Sequence, residues 1–173
     1  MSRELWLLRH AKADRNLAVD DFDRPLKKRG KRDAVRLGEW LLQQGLLPDW
    51  VVSSPAKRAL ATAKLVCDVL AADGVLVVQD QRLYQQGVGA ITAVLAACPQ
   101  TAERVLLVGH NPELEALLVY LVEAQQLPDT DKLMPTAAWV RLRMPDDWSQ
   151  LDAGCADLLA IVLAKSLLLQ EGE

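Results

Sequence analysis

The sequence predicts an α/β protein, a three-layer α/β/α sandwich around a mostly parallel central sheet. Three observations carry this expectation. Apolar runs of strand length recur along the chain at Leu5 to Leu8, Trp50 to Val52, Val75 to Val78 and Val105 to Val108, each too short for an independent helix. Between them lie stretches whose apolar residues repeat at helical spacing, as Ala34, Leu37, Gly38 and Leu41 do at i, i+3, i+4 and i+7. A length of 173 residues suits one such domain, spanning 1–173, and is short for two.

The first apolar run stops at Arg9-His10. In open α/β sheets ligands bind beyond the carboxyl ends of the strands, so a strand ending in Arg-His delivers those side chains to the ligand crevice. Residues 11–24 are polar and rich in Asp (Asp14, Asp20, Asp21, Asp23) and read as a loop over the sheet edge. Pro25 biases Arg24 toward an extended backbone. The helix that follows ends near Gly45, and Lys27, Lys28, Arg29, Lys31, Arg32 and Arg36 make its outer surface basic. That face is either solvated decoration or a field that draws in an acidic or phosphorylated partner.

The second strand, Trp50 to Val52, runs into Ser54-Pro55, with Ser54 as cap and Pro55 in the first helical turn. Arg58 therefore lies where free backbone N–H groups favour an anion. Asp73-Gly74 leads into the Val75 to Val78 strand, residues 83–87 form a polar connection, and Ile91, Val94, Leu95 and Cys98 mark a helix ending at Pro99. The run 105–108 ends in Gly109-His110-Asn111, and Pro112 opens a helix with Leu114, Leu117, Leu118 and Leu121 on one face. Residues 128–134 read as a loop and 136–143 as a strand; 157–165 fits a strand or a short helix, and β-branched Ile161 and Val162 after Gly154 favour a final strand. Periodicity does not decide whether Trp139 and Trp148 belong to the core or to a contact surface.

Composition narrows the chemistry. Hydrophobic residues at 51% and charged residues at 25% describe a folded chain, and 20 Lys and Arg against 23 Asp and Glu leave a net charge of −3, which gives no general basis for nucleic-acid or membrane binding. No stretch of about 18 uncharged apolar residues and no signal-peptide pattern is present. The three separated cysteines, Cys67, Cys98 and Cys155, suit reduced thiols at core or near-core positions and a cytoplasmic location. With two histidines, no paired-Cys spacing and no clustered Asp motif, no metal site is expected.

Arg9, His10, Arg58 and His110 all stand at strand ends or helix starts, where a parallel sheet can bring them to one crevice. Guanidiniums hold a phosphoryl group with permanent charge, one imidazole can attack phosphorus and another can donate to its oxygens. The motifs Leu8-Arg9-His10, Ser54-Pro55-Ala56-Lys57-Arg58-Ala59-Leu60-Ala61-Thr62-Ala63 and Gly109-His110-Asn111 resemble those of the histidine phosphatase superfamily, the phosphoglycerate-mutase-like proteins. Arg24-Pro25-Leu26 ahead of Gly30 and the run 108–112 bring the resemblance closer to the SixA-like phosphohistidine phosphatases, over nearly the whole chain.

The resemblance implies that His10 is the nucleophile, that Arg9, Arg58 and His110 complete the catalytic pocket, and that Arg24, Arg9, Arg58 and Asn111 bind substrate without a metal or cofactor. It also implies an unprotonated reacting nitrogen on His10, with the other nitrogen donating to a backbone carbonyl. In one place the sequence departs from the wider family: the general acid that larger members carry after the third strand has no obvious counterpart, since residues 83–86 read Leu-Tyr-Gln-Gln. Asp14, Asp20, Asp21 and Glu113 remain as substitutes. Loss of the acid favours a phosphohistidine leaving group. The expected partner is thus a phosphorylated protein, a phosphorelay or phosphotransferase component; a small phosphate ester is the alternative, and a non-catalytic phosphate-dependent binding module ranks below both.

Overall fold

The computed structural model describes residues 3–15, 18–70 and 76–171, with side chains described as far as Leu167. Six strands form one sheet in the order β3-β2-β4-β1-β5-β6. They are β1 (Arg3–Arg9), β2 (Trp50–Ser53), β3 (Val77–Gln79), β4 (Arg104–Gly109), β5 (Ala138–Met144) and β6 (Asp157–Leu163). Pairings among β1, β4, β2 and β3 are parallel, whereas β5 runs antiparallel to both β1 and β6. The helices are α1 (Lys28–Gln43), α2 (Lys57–Leu70), α3 (Gly87–Ala96), α4 (Glu113–Leu121) and α5 (Ala164–Glu171).

Strand periodicity divides the core into two layers. Trp6 and Leu8 of β1, Val51 of β2 and Leu106 and Val108 of β4 pack with Leu37 and Leu41 of α1, Ala63 and Val66 of α2, and Ala164 and Leu167 of α5. Their neighbours Leu5, Leu7, Val52, Val105 and Leu107 pack instead with Ile91 and Leu95 of α3 and Leu114, Leu117 and Leu118 of α4. Alternate side chains of a strand point to opposite faces, so strands buried on both sides read as continuous apolar runs. The three-layer expectation is met.

Trp139 and Trp148 are both fully buried. Trp139 stacks edge-on against Trp6 and Trp40, and Trp148 donates from Nε1 to the Ala102 carbonyl at 2.9 Å. Beneath β1, Glu4 accepts from Trp6 Nε1 and takes two bonds from Arg141, at 2.7 and 2.8 Å. Burial alone would raise that carboxyl, but these donors outweigh it and hold Glu4 below the usual range. Of the cysteines, Cys98 is buried and the other two are half-buried, all as free thiols.

Three expectations are corrected at their edges. The third strand is shorter and later than 75–78: Leu76 precedes it and is 81% exposed, while Asp73, Gly74 and Val75 lie outside the described residues, as does Asn16 of the first loop. A strand of three residues beside a single partner needs no continuous apolar run. The last strand ends at Leu163, and the chain turns into α5, which the sequence reading missed; Ala164 and Leu167 pack into the layer held by α1, a tertiary reward that local propensity does not carry. Regular helix begins at Lys57, not Pro55, because Ser54 Oγ first accepts from Ala56 N–H at 3.2 Å in a local turn.

The segment after β1 lies tightly on the start of α1. Lys27 N–H donates to the Lys12 carbonyl, Asp14 N–H donates to the Pro25 carbonyl, and Ala13 bridges to Leu26. Gly30 permits this approach, since a Cβ there would stand 2.2 Å from the Lys12 oxygen and 2.9 Å from its nitrogen. Gly30→Ala is therefore expected to destabilise the fold by about 2 to 3 kcal/mol, the upper range for overpacking against backbone. Gly89→Ala, with nothing within 4 Å, serves as the neutral control. Urea unfolding of both variants checks the contact, and a wild-type midpoint for Gly30→Ala would refute it.

Candidate active site

The parallel strands end at one level. Arg9 of β1 pairs with Gly109 of β4, and Ser53 of β2 pairs with Val108, so Arg9-His10, Ser53-Ser54 and Gly109-His110 emerge side by side. His10 N–H donates to the Gly109 carbonyl and Ser54 N–H to that of Val108, each at 3.0 Å. The two imidazoles, 7% and 5% exposed, come together with centroids 5.2 Å apart. They wall a pocket of about 250 Å³ shared by Arg9, Arg24, Arg58 and Asn111, so all six residues expected to act on or bind the phosphoryl group line it. A larger cavity of about 450 Å³, against Trp40, Leu133, Ile161, Leu163 and Leu167, holds none of these groups.

His10 Nδ1 lies 2.8 Å from the Ala11 carbonyl oxygen. A carbonyl only accepts, so the neutral ring carries its proton on Nδ1 and its lone pair on Nε2. The Ala11 peptide is itself fixed: its N–H donates to Thr62 Oγ1 at 3.0 Å, and the Thr62 hydroxyl donates to the Arg58 carbonyl at 2.7 Å. Thr62 thereby ties the peptide that follows His10 to the helix that carries Arg58. Burial, more than the neighbouring cations, pushes His10 down to about 3; His110, Arg58 and Arg9 add to the shift.

His110 Nε2 stands 2.8 Å from Ser54 Oγ. That oxygen also accepts from Ala56 N–H, and its second acceptor site and its own proton let it serve either tautomer of the ring; His110 Nδ1 is buried without a partner. Burial, followed by Arg58, holds His110 down to about 4, with Asp21 opposing. Both imidazoles are neutral at pH 7.

Asp21 is what the sequence reading undervalued. Its carboxylate accepts from Arg24 NH1 at 2.8 Å, from Arg58 NH2 at 3.0 Å and from the Tyr84 hydroxyl at 2.6 Å, while its carbonyl accepts from Arg58 NH1 at 2.6 Å. The hydrogen bond from Tyr84 comes first, and with Arg24 and Arg58 it outweighs burial and holds the carboxyl far below the usual range. Tyr84 in turn stacks edge-on against His110 and Phe22. Among the four carboxylates considered as substitute acids, Asp21 alone lines the pocket. The one local signal for its role is the spacing Asp21 to Arg24, which closes an i,i+3 ion pair.

Arg9 and Asn111 share a fixed point, the Met134 carbonyl, to which they donate at 3.1 and 2.9 Å. Glu115 accepts from Met134 N–H and raises the pKa of Arg9, against the stronger lowering by burial. The 128–134 loop is thus pinned beside the pocket. Lys12 and Arg15, absent from the sequence-based set, also line it, so five cations face one carboxylate. No group of three metal-ligating side chains gathers among the described residues, and none of the described helices is long and apolar enough to cross a membrane.

Four buried side-chain nitrogens in the described residues lack a partner, and three of them, Arg9 Nε, Arg58 Nε and His110 Nδ1, belong to this pocket. An unmade buried hydrogen bond costs roughly 1–3 kcal/mol. The five cations in the lining suit the pocket to an anion rich in acceptor oxygens.

Comparison with known proteins agrees with this chemistry. The sequence profile of the histidine phosphatase superfamily (branch 1) matches residues 5–92. An uncharacterized protein of Mycobacterium tuberculosis is 30% identical over 158 residues, 88% of this chain and 96% of that one. A 2,3-bisphosphoglycerate-dependent phosphoglycerate mutase of Streptomyces avermitilis is 37% identical over 91 residues, 51% of this chain and 36% of the mutase. Among solved structures, one from Nakamurella multipartitia, provisionally named phosphohistidine phosphatase SixA, superposes with a TM-score of 0.78 at 34% identity, covering 94% of this chain and 96% of that chain. Another, the protein histidine phosphatase SixA complexed with tungstate, gives 0.79 at 23% identity over 95% and 99% of the two chains, and speaks for the fold. With the profile covering half the sequence and the superposition nearly all of it, the chain belongs to the histidine phosphatase superfamily and is a phosphatase.

Proposed function

We propose that this phosphatase works without a metal through a phosphorylated His10, and that its substrate is phosphohistidine on a protein. Nε2 of His10 attacks phosphorus, the N–P bond to the substrate imidazole breaks, and that ring leaves neutral because its other nitrogen takes a proton from solvent. Water then attacks the phosphoryl group, the N–P bond to His10 breaks, and inorganic phosphate departs. Arg9, Arg24 and Arg58 offset the phosphoryl charge, and Nδ1–H of His110 donates to one of its oxygens. Asn111, whose amide is committed to Met134, shapes the wall beside them.

The observation that carries the choice of substrate is the state of Asp21. It is the one carboxylate lining the pocket, and Tyr84, Arg24 and Arg58 keep it ionised. An alkoxide needs a proton delivered to the scissile oxygen itself. A phosphohistidine ring does not, since the proton goes to its remote nitrogen, outside the pocket. The charge around the mouth also suits a protein. Lys12 is crowded by Arg15 first and then, beyond its slight burial, by Arg29, Lys27 and Arg9, all of which lower its pKa; the basic strip thus runs from the pocket onto α1, where Lys27, Lys28, Arg29 and Lys31 are exposed.

Three outcomes test this reading. A phosphohistidine-bearing protein is expected to be dephosphorylated faster than a panel of sugar and aryl phosphates in the presence of chelator, and His10→Ala to abolish turnover; preference for an ester would move the search to small metabolites, and wild-type rates for His10→Ala would end the mechanism. Charge reversal at Lys27, Lys28, Arg29 and Lys31 together is expected to cut kcat/KM on the protein substrate by about tenfold or more at low salt, and to leave a chromogenic aryl phosphate unchanged. Equal losses on both substrates would exclude steering. Finally, a lowered histidine pKa means the proton is lost more readily, so each ring is neutral above its midpoint. With two histidines in the chain, nitrogen NMR should show both rings neutral down to about pH 5 and His10 protonated on Nδ1, with midpoints near 3 and 4 in place of the ordinary value near 6.5.

A further inference from the structure

We infer that Asp21 is the positioning residue of the phosphate clamp: it grips the outer nitrogens of Arg58 and Arg24, and Tyr84 holds Asp21 in turn. The inference rests on the proposed phosphate pocket and adds to it the residue that sets its shape. Arg58 projects from the first turn of α2, and nothing on that helix holds its guanidinium. Both of its outer nitrogens end on Asp21, NH1 on the carbonyl and NH2 on the carboxylate. Two bonds from two atoms of one residue fix the guanidinium's position and its plane. Its third nitrogen, Nε, is left buried without a partner.

Arg24 is fixed the same way, with Nε on the Asp14 carbonyl and NH1 on the other oxygen of Asp21. One carboxylate therefore spans two guanidiniums that come from distant parts of the chain. Its own freedom is removed by the Tyr84 hydroxyl, whose ring leans on His110. The chain Arg58–Asp21–Tyr84–His110 is closed, and it couples the clamp to the second histidine.

Neutral substitutes cannot do this. An amide at 21 offers one acceptor oxygen where three side-chain donors now meet two. Without the negative charge, Arg58 and Arg24 repel each other across the gap. Asp21 also bears its charge in the lining of the same pocket, and its repulsion of a phosphoryl group is offset while Arg24 and Arg58 stay paired to it.

This predicts a reversal of sign that a structural role would not show. Orthovanadate serves as the phosphate-shaped probe, bound to full-length protein and followed by inhibition and by calorimetry. Asp21→Ala is expected to weaken orthovanadate binding at least tenfold and Asp21→Asn by less, with thermal midpoints near wild type; the Asn variant also carries the test where the Ala variant does not fold. In an Arg58→Ala background the same Asp21 substitution is expected to have no effect or to tighten binding, because the carboxylate there faces the anion uncompensated. Binding within twofold of wild type in both single variants, or losses that simply add in the double variant, would overturn the assignment. Wild-type protein that fails to bind orthovanadate at all would overturn the phosphate pocket itself, and this proposal with it.

Discussion

The site is governed by the cost of crowding positive charge where water is scarce. Five cations line a pocket of about 250 Å³, and Arg58 is 6% exposed. Charges that share a partly buried site interact with several kcal/mol at short range, against about 1 kcal/mol in water. Three features answer to that constraint. The imidazoles stay neutral, chiefly because burial disfavours the charged ring and further because Arg9 and Arg58 would repel it. Asp21 stays ionised because Tyr84 donates to it and Arg24 and Arg58 pair with it. And the loop that carries Asp21 is tied to Arg58 of α2 and to Tyr84, so it supplies part of the site's electrostatics.

The residues legible in the sequence are those whose placement is local. Arg9-His10 and Gly109-His110 follow apolar strand runs, and Arg58 follows a strand and a Ser-Pro helix start; each position is fixed by its immediate neighbours and by the rule that parallel strands share a carboxyl end. Asp21 and Tyr84 are different. They lie 63 positions apart, in segments without strand or helix periodicity, and what joins them is packing of Phe22 on Tyr84 and of Tyr84 on His110. The same holds for Met134, a loop residue whose backbone gathers Arg9, Asn111 and Glu115. Helix α5 escaped notice because its reward is contact with α1 in the tertiary structure, and β3 was placed two residues early because a three-residue strand carries little pattern.

Neutrality of His10 follows from the fold more than from the arginines that the sequence placed beside it. Burial is the largest contribution, and burial comes from the close approach of β1 to β4, sealed by the loop around Ala137, whose N–H reaches the carbonyls of both Arg9 and His10. The tautomer has an equally structural origin, in the Ala11 carbonyl held by Thr62 and α2. A free lone pair on Nε2 is thus a property of the backbone at a strand end, as the proposed attack on phosphorus requires.

A strong phosphate clamp and a general acid compete for the same space. Keeping a carboxyl protonated near pH 7 requires an apolar or anionic setting, whereas every cation brought in to hold phosphate lowers its pKa. In a pocket this small the two requirements meet at Asp21, and the clamp wins: the carboxylate is spent on orienting Arg24 and Arg58. In the proposed reading, what remains is a site that transfers phosphoryl groups well only when the leaving group brings its own proton site. Imidazole does so with a pKa near neutrality, and the exchange of phosphate between the substrate ring and His10 is then nearly balanced, one N–P bond for another. The driving force falls on the second step, in which water removes the phosphoryl group from His10. Substrate choice in this reading comes from the electrostatics that build the clamp, with no separate recognition element needed inside the pocket, and discrimination among proteins passes to the basic surface around its mouth.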